Sequence, residues 1–518
     1  MKGEYYMNEL LKALKENFNT TLTENGATTY KSTLDSVYDM FALGGAYRER
    51  SDEDVIMLFK KAYQQDPTLA MKCLFYLRDV TEGQGERRFF RVIINWLART
   101  MPEEALNFLK QIPEYGRFDD LYSLIGASID EDVFRFIKSQ LIADLHTDTP
   151  SLLAKWLKSE NASSPETKKL ATETRKHLGL TSAQYRHMLS MLRNRIKIVE
   201  TLMSQNRWTE IEFDKIPSRA GFIYRKAFAR NELIGDKYAE FMSKPNTTVN
   251  ARTLYPYEVV EKAAKLANGG WGSLPSIDDV ERITINKYWD NLTDYFNGAT
   301  LNALAVVDTS GSMWGQPINV AISLGLYCAD KANGPFKNHF ISFSRNPKLI
   351  ETVGVDFCDK VNRIYQQNLC ENTNIEKTFD LILNIARKNN LSQKELPESL
   401  IIISDMEFDA AISNYDYYRE SNGNSSLIEN IERKWNAFGY KMPKLVFWNV
   451  NARHDNIPMK ERNGITFISG CSPVIFDMIM SGKTAKELML DKLLSDRYAK
   501  IFSVTDHKYL LYKNLINT

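Results

Sequence analysis

Two rhythms of apolar and polar positions divide the chain. From its start to about residue 297, apolar residues recur three and four apart, the spacing of a helix with one buried face. The spacing predicts helices over 52–64, 68–78, 86–100 and 102–112, with the stripe plainest in Val55, Leu58, Phe59 and Ala62. Short links with stop signals separate them, as in Gly83-Gln84-Gly85 and Pro113-Glu114-Tyr115-Gly116. Such links imply antiparallel helix pairs stacked as in an α-solenoid, although no repeat of fixed period stands out. Further on, Ser164-Pro165-Glu166 reads as an N-cap, a proline at N1 and an early acid, and Gly179 closes that helix. Thr181 or Ser182 then caps another, and 278–297 is a last amphipathic helix.

After Gly298-Ala299-Thr300 the rhythm changes to short continuous apolar runs alternating with helical patterns. The runs at 303–307, 339–343, 400–404, 445–450 and 465–468 read as strands buried on both faces. Helices are expected around 318–331, 374–388 and 427–438, with another after Pro473. The expected fold is therefore α + α/β. Residues 1–297 form a helical domain, and residues 298–518 form a doubly wound, largely parallel sheet.

Chemistry gathers where the inner strands end. The first run stops at Asp308, with Ser310 and Ser312 following around Gly311. A second polar loop, Glu371-Asn372-Thr373-Asn374, precedes a helix, and a third segment, Ile401-Ile402-Ile403-Ser404-Asp405, is another strand ending on a carboxylate. Taken singly, each Asp, Ser or Thr reads as a helix cap. Taken together, Asp308, Ser310, Ser312, Thr373 and Asp405 form an all-oxygen set. Hard oxygen donors suit Mg²⁺, Mn²⁺ or Ca²⁺, and the lack of neighbouring His or Cys disfavours zinc. Neutral hydroxyls add no negative charge, so a held metal stays electrophilic toward an incoming carboxylate or phosphate.

Composition changes the picture only locally. At 518 residues, with 43% hydrophobic and 25% charged positions, this is a globular protein of more than one domain. A formal charge of +1 gives no global sign of nucleic acid. Residues 151–230, however, carry 16 Lys and Arg against 7 Asp and Glu, whereas 101–150 carry 4 against 10. Trp156, Tyr185, Trp208, Phe222 and Tyr224 are interleaved with that basic charge, and cations plus ring faces are what single-stranded nucleic acid needs. The leading candidates are Lys155, Arg186, Arg193, Lys197, Arg219, Arg225 and Lys226. Most helical Lys and Arg are solvated faces and most aromatics at helical spacing are core, so the duller reading stands beside this one. Five scattered cysteines without CxxC spacing favour a reducing compartment. No apolar leader opens the chain and no segment approaches a membrane-spanning length, so a cytoplasmic monomer away from membranes is expected.

At Asp308-Thr309-Ser310-Gly311-Ser312-Met313, with Thr373 and Asp405, the chain resembles a von Willebrand factor A domain with its metal-ion-dependent adhesion site. The resemblance implies that Asp308, Ser310, Ser312, Thr373 and Asp405 hold a divalent metal, Mg²⁺ first. Two glycines common before the loop threonine are here Glu371-Asn372, and the Asp-Gly common after the third strand is Asp405-Met406. Upstream, Thr23-Glu24-Asn25-Gly26-Ala27, Arg78-Asp79, Gly83-Gln84-Gly85-Glu86-Arg87 and Pro113 to Asp120, with Ser404 to Asp409, are similar to an uncharacterised family of plants, bacteria and large viruses. That architecture resembles the TROVE/Ro ribonucleoprotein family. There a ring of HEAT-like helical pairs, closed by the A domain, binds single-stranded ends of small or misfolded RNAs.

Three functions are weighed. The first is a non-catalytic RNA-binding scaffold whose A domain presents a metal site. The second is a protein-interaction module in which that metal grips a partner's carboxylate, without RNA. Catalysis ranks last. An aspartyl phosphohydrolase wants a second acid two residues after Asp308, where Ser310 stands. Gly311-Ser312-Met313-Trp314-Gly315 is not a nucleophile elbow, Gly83-x-Gly85 follows no buried strand, and the six histidines show no paired spacing.

Overall fold

A computed structural model describes residues 10, 14–16, 18–196, 198–267, 279–296, 298–343, 346–367, 374–409, 426–460, 462–479 and 483–506. It divides into two compact units, neither continuous in sequence. One takes the described residues within 1–54, 255–275 and 294–495, the other those within 55–254, 276–293 and 496–518.

The first unit is built on a six-stranded sheet. A two-stranded hairpin, β1 (Thr20–Leu22) and β2 (Thr28–Tyr30), precedes it in sequence. The sheet strands are β3 (Ala303–Asp308), β4 (His339–Phe343), β5 (Lys348–Glu351), β6 (Ser399–Ser404), β7 (Lys444–Asn449) and β8 (Ile465–Ser469). Their order is β5-β4-β3-β6-β7-β8, parallel throughout except for the antiparallel edge strand β5. β3 is buried along its whole length, as its unbroken apolar run requires. Helix Gln316–Lys331 lies close enough that a Cβ on Gly325 would collide with Val307. The chain leaves β3 toward β4 and returns on the other side as β6, so the topological switch point lies between β3 and β6.

These units differ from the single cut expected after residue 297, and the reason is hydrogen bonding between segments far apart in sequence. Tyr30 exchanges two backbone bonds with Ile457, at 3.0 and 2.9 Å. The Tyr38 hydroxyl accepts the Phe467 N–H at 2.9 Å and donates to the Phe467 carbonyl at 3.2 Å, covering the outer strand β8. Gly45 N–H donates to Ser469 Oγ at 3.0 Å. Helix Pro256–Ala267 packs on helices Gln316–Lys331 and Phe357–Tyr365. An edge that would otherwise offer unpaired backbone to another chain is thereby occupied from within.

The second unit is helical, and its boundaries follow cap chemistry. Asp66 accepts the Leu69 N–H at 2.9 Å ahead of helix Pro67–Arg78, and Ser164 accepts Thr167 N–H ahead of Pro165–Leu178. Gly179 ends the latter at φ +71°, a left-handed turn that glycine adopts without strain. The helix expected over 102–112 is shorter, Pro102–Asn107. A separate turn, Ile112–Tyr115, follows, because Pro113 cannot extend a preceding helix. Phe75 anchors the core, its ring 5.3 Å from each of Phe90, Phe108 and Tyr115. Among the described residues no helix is long and apolar enough to cross a membrane.

Candidate metal and basic sites

The sheet unit brings Asp308, Ser310 and Ser312 together at the carboxyl edge of β3, with Ser404 and Asp405 at the end of β6. Asp308 is buried, and its Oδ1 accepts the Ser310 N–H at 2.9 Å. Its Oδ2 accepts the Ser404 hydroxyl at 2.6 Å. The hydroxyls of Ser310 and Ser312 lie 3.0 Å apart. Burial, and then the negative charge of Asp405, holds the Asp308 carboxyl well above the usual carboxylate range. Among the described residues, Asp308 has only neutral hydrogen-bond partners. Asp405 is also buried, but its oxygens are occupied, Oδ1 by the Glu407 N–H at 3.2 Å and Oδ2 by Arg453 Nη2 at 3.1 Å. Thr373 and the adjoining Glu371-Asn372 lie outside the described residues.

This donor set fits a divalent cation. A buried carboxylate raised in proton affinity beside a second one lacks positive charge, and hydroxyl oxygens stand next to it. Asp308, Ser310 and Ser312 would be the ligands, and Asp405 would add negative potential rather than a free oxygen. The loop behind them is strained. Met406 takes φ +65°, where the commoner Asp-Gly would be relaxed, and its N–H is held by Ser404 Oγ at 3.0 Å.

A second polar network abuts this edge, and the sequence did not show that its parts meet. Glu407 is buried, with Oε2 accepting the Glu24 N–H at 2.7 Å. Its Oε1 faces His454 Nδ1 and Asn456 Nδ2, each at 2.8 Å. Thr23 Oγ1 donates to the Phe408 carbonyl at 2.7 Å, and Gly26 forms an antiparallel bridge with Asp409. Arg453 ion-pairs with both Glu24 and Asp405. Thr23 to Ala27 thus extends the segment that follows β6. The signal was there in two short polar motifs, but nothing in either states which other stretch it pairs with. Glu24, Glu407 and His454 are near enough to share an ion, yet Glu407 is already satisfied by three donors.

The helical unit sorts the basic candidates. Arg225 is corrected: it is buried against Glu281, with Nε and Nη2 at 3.0 and 2.7 Å from Oε1, and cannot meet a ligand at the surface. Arg193 is corrected in role. Its three nitrogens donate to the Ala154 carbonyl, Ser159 Oγ and the Leu157 carbonyl, so it ties chain segments together. Tyr185 and Phe222 are likewise core, not stacking platforms. Lys155 is half-buried, 3.4 Å from Glu200. Arg186, Arg219 and Lys226 are exposed, Lys226 at 3.7 Å from Glu281. Lys197 lies outside the described residues. A cleft of about 600 Å³ opens beside this group, lined among others by Glu160, Tyr185, Arg186, Arg193, Thr201 and Gln205.

Fold and site together define a two-unit α + α/β protein with an oxygen-lined switch point in its sheet. The chain belongs to the family described as Domain of unknown function (DUF2828), whose model matches residues 23–142 and 138–299, more than half of the sequence. Residues 302–504 match a second model, Domain of unknown function (DUF7788). The chain is similar to an uncharacterised protein of Acanthamoeba polyphaga mimivirus, at 29% identity over 509 residues, covering 90% of this chain and 85% of that one. Among solved structures it is similar to the Deinococcus radiodurans RO (RSR) protein. The TM-score is 0.42 and the identity 12%, over 89% of this chain and 99% of the other.

Proposed function

We propose that this protein is a non-catalytic scaffold that holds single-stranded RNA on its helical unit and a divalent cation, Mg²⁺ first, at the edge of its sheet. The RNA part rests on the basic excess of residues 151–230. Once Arg193 and Arg225 are set aside as structural, Arg186, Arg219 and Lys226 remain exposed. One observation supports the RNA reading above others: Arg186 lines an open cleft of about 600 Å³, ample for a nucleotide. A HEAT-like stacking of the helices and an A-domain identity for the sheet belong to the same proposal. Crosslinking the intact protein in cells and sequencing what copurifies tests it. Enriched single-stranded or misfolded small RNAs are expected, and recovery at background level would move the assignment to the second reading.

That second reading, a protein-interaction module without RNA, is favoured by Trp314. It stands 78% exposed two residues after Ser312, an aromatic left in water beside the proposed metal. A cation held by Asp308, Ser310 and Ser312 supplies an open coordination position for a partner carboxylate. Capture of a partner that a chelator and Asp308→Ala both abolish, with no RNA present, is the signature of this alternative.

A further inference from the structure

Two polar segments of the helical unit meet around one carboxylate. Arg78 closes helix Pro67–Arg78, Arg87 and Arg91 lie on helix Arg87–Thr100, and Arg117, Asp119 and Asp120 enter the turn Phe118–Leu124. Asp120 is fully buried and shared. Its Oδ2 accepts Arg78 Nε and Nη2 at 2.9 and 2.7 Å, and its Oδ1 accepts Arg91 Nε at 2.6 Å. Asp119 Oδ2 takes Arg91 Nη2 at 2.8 Å. Two guanidinium groups and two carboxylates are thereby balanced. Asp79, next to Arg78, is held by Arg497 at 2.7 and 3.0 Å and by the Tyr498 hydroxyl at 3.1 Å. Glu86 caps the helix that Arg87 begins by accepting the Arg88 N–H at 3.0 Å.

Arg87 and Arg117 are left over. Both are half-buried, and neither guanidinium has a carboxylate partner among the described residues. Arg117 lies over the Trp156 ring at 4.8 Å, which orients its plane, and Lys155 Nζ is 5.9 Å from the same ring. Their surroundings are adverse to more positive charge. Burial and then the charges of Arg91 and Arg78 lower Arg87. Burial and then Arg87 and Arg78 bring Arg117 down to about 10, with Arg219 adding to the effect. Asp119 opposes the lowering at both, and Asp120 at Arg87, but those carboxylates are hydrogen-bonded to Arg78 and Arg91. Arg87 and Arg117 therefore remain cations at neutral pH, withdrawn from water, with no acid bonded to either guanidinium among the described residues.

We propose that Arg87 and Arg117, braced by Trp156, form a binding site for a phosphate monoester. The charge selects the ligand. Two unpaired guanidinium groups match a terminal phosphate of about −1.5 to −2, better than a carboxylate or a phosphodiester of single charge. Planar N–H forks also fit its oxygens two at a time. Free phosphate and the terminal phosphate of an RNA share this chemistry. Only the identity of the molecule that carries the phosphate rests on the RNA reading above.

The test uses the full-length protein and three probes: inorganic phosphate, and one short single-stranded RNA carrying either a 5′-phosphate or a 5′-hydroxyl. Calorimetry should show phosphate binding that Arg87→Gln and Arg117→Gln each abolish. The 5′-phosphorylated RNA should bind about tenfold more tightly than its hydroxyl counterpart, an advantage lost in Arg87→Gln. Arg87→Lys keeps the charge but not the fork, and should recover part of it; it also controls for misfolding at Arg117. Equal affinity for both RNAs, with no binding of inorganic phosphate, overturns the site and leaves the RNA reading standing. Phosphate binding that Arg87→Gln removes, with neither RNA bound, supports the site and overturns the RNA reading. Phosphate binding unchanged in both glutamine variants overturns the site.

Discussion

Ser404 donates its hydroxyl to Asp308 Oδ2 at 2.6 Å, joining the ends of β6 and β3 across the switch point of the sheet. The bond lowers the proton affinity of Asp308, but burial and then the charge of Asp405 outweigh it, and the nearby Arg453 guanidinium is spent on Asp405, so the carboxyl stays high. A bound divalent ion, as proposed above, would supply the missing charge. Melting in the presence of Mn²⁺ should therefore rise for the natural protein and stay flat for Asp308→Ala. Asp308→Asn should also ignore Mn²⁺, but without metal it should equal or exceed the natural protein in stability, because it removes a buried charge. An Asn variant that still gains stability from Mn²⁺ would contradict the ligand assignment.

Asp39 gives a pH dependence with a definite sign. Burial raises its carboxyl from 3.8 to about 7, against the opposing hydrogen bond from the Thr33 N–H at 2.7 Å. The folded state therefore keeps a proton that the unfolded chain releases. Between about pH 4 and pH 7 the unfolded state binds fewer protons, so this group's stabilising contribution is full at the acid end and is lost as pH rises. Asp39→Asn keeps the acceptor without the charge. Urea unfolding across that range should show a shallower decline for the variant, with its largest advantage above pH 7. Parallel curves would assign the proton elsewhere.

Among the described residues, Asp120 is the sole hydrogen-bond acceptor for the Arg78 side chain, which is 1% exposed. Asp120→Ala leaves that guanidinium buried and unpaired, and should cost about 3–5 kcal/mol in denaturant unfolding. Gly116→Ala should destabilise for a steric reason, since its Cβ would enter the space of Asp120 Oδ2 and Arg78 Nε. Arg225→Gln, which leaves buried Glu281 only the longer pair with Lys226, belongs with these and not with the binding variants.

The long elements were legible because they are periodic. The strands at 303–307 and 400–404 are apolar on both faces, and Asp308 and Asp405 sit where those runs end. β5 was missed because it is an exposed edge on which only Ile350 is buried, so it carries no run to read. The hairpin Thr20 to Tyr30 was read as part of a helical half because strands of three residues leave no usable alternation. Charge was the least legible. Arg225 and Arg186 look alike in sequence, and only a carboxylate 56 positions away separates a structural arginine from an exposed one. The docking of Thr23 on Phe408, 385 positions apart, lies beyond any local pattern for the same reason.

Arg186 and Lys226 offer the sharpest separation of binding from folding, since both are exposed. Arg186→Gln should melt as the natural protein does, and Lys226→Gln slightly below it, because it gives up a long ion pair with Glu281. Each should reduce the salt slope of RNA binding by about 0.7, the contribution of one neutralised phosphate on a single strand. Unchanged slopes in both variants would move the RNA surface away from Arg186, which lines the cleft, and from Lys226.

On the proposed function, the helical unit binds RNA by charge, independently of the sheet-edge metal. Equilibrium binding of a single-stranded RNA measured across a salt series, for the natural protein and Asp308→Ala, tests it most directly. Affinity should fall steeply and linearly on logarithmic axes, with the same slope in both proteins. Binding that is absent, indifferent to salt, or lost in Asp308→Ala would contradict it.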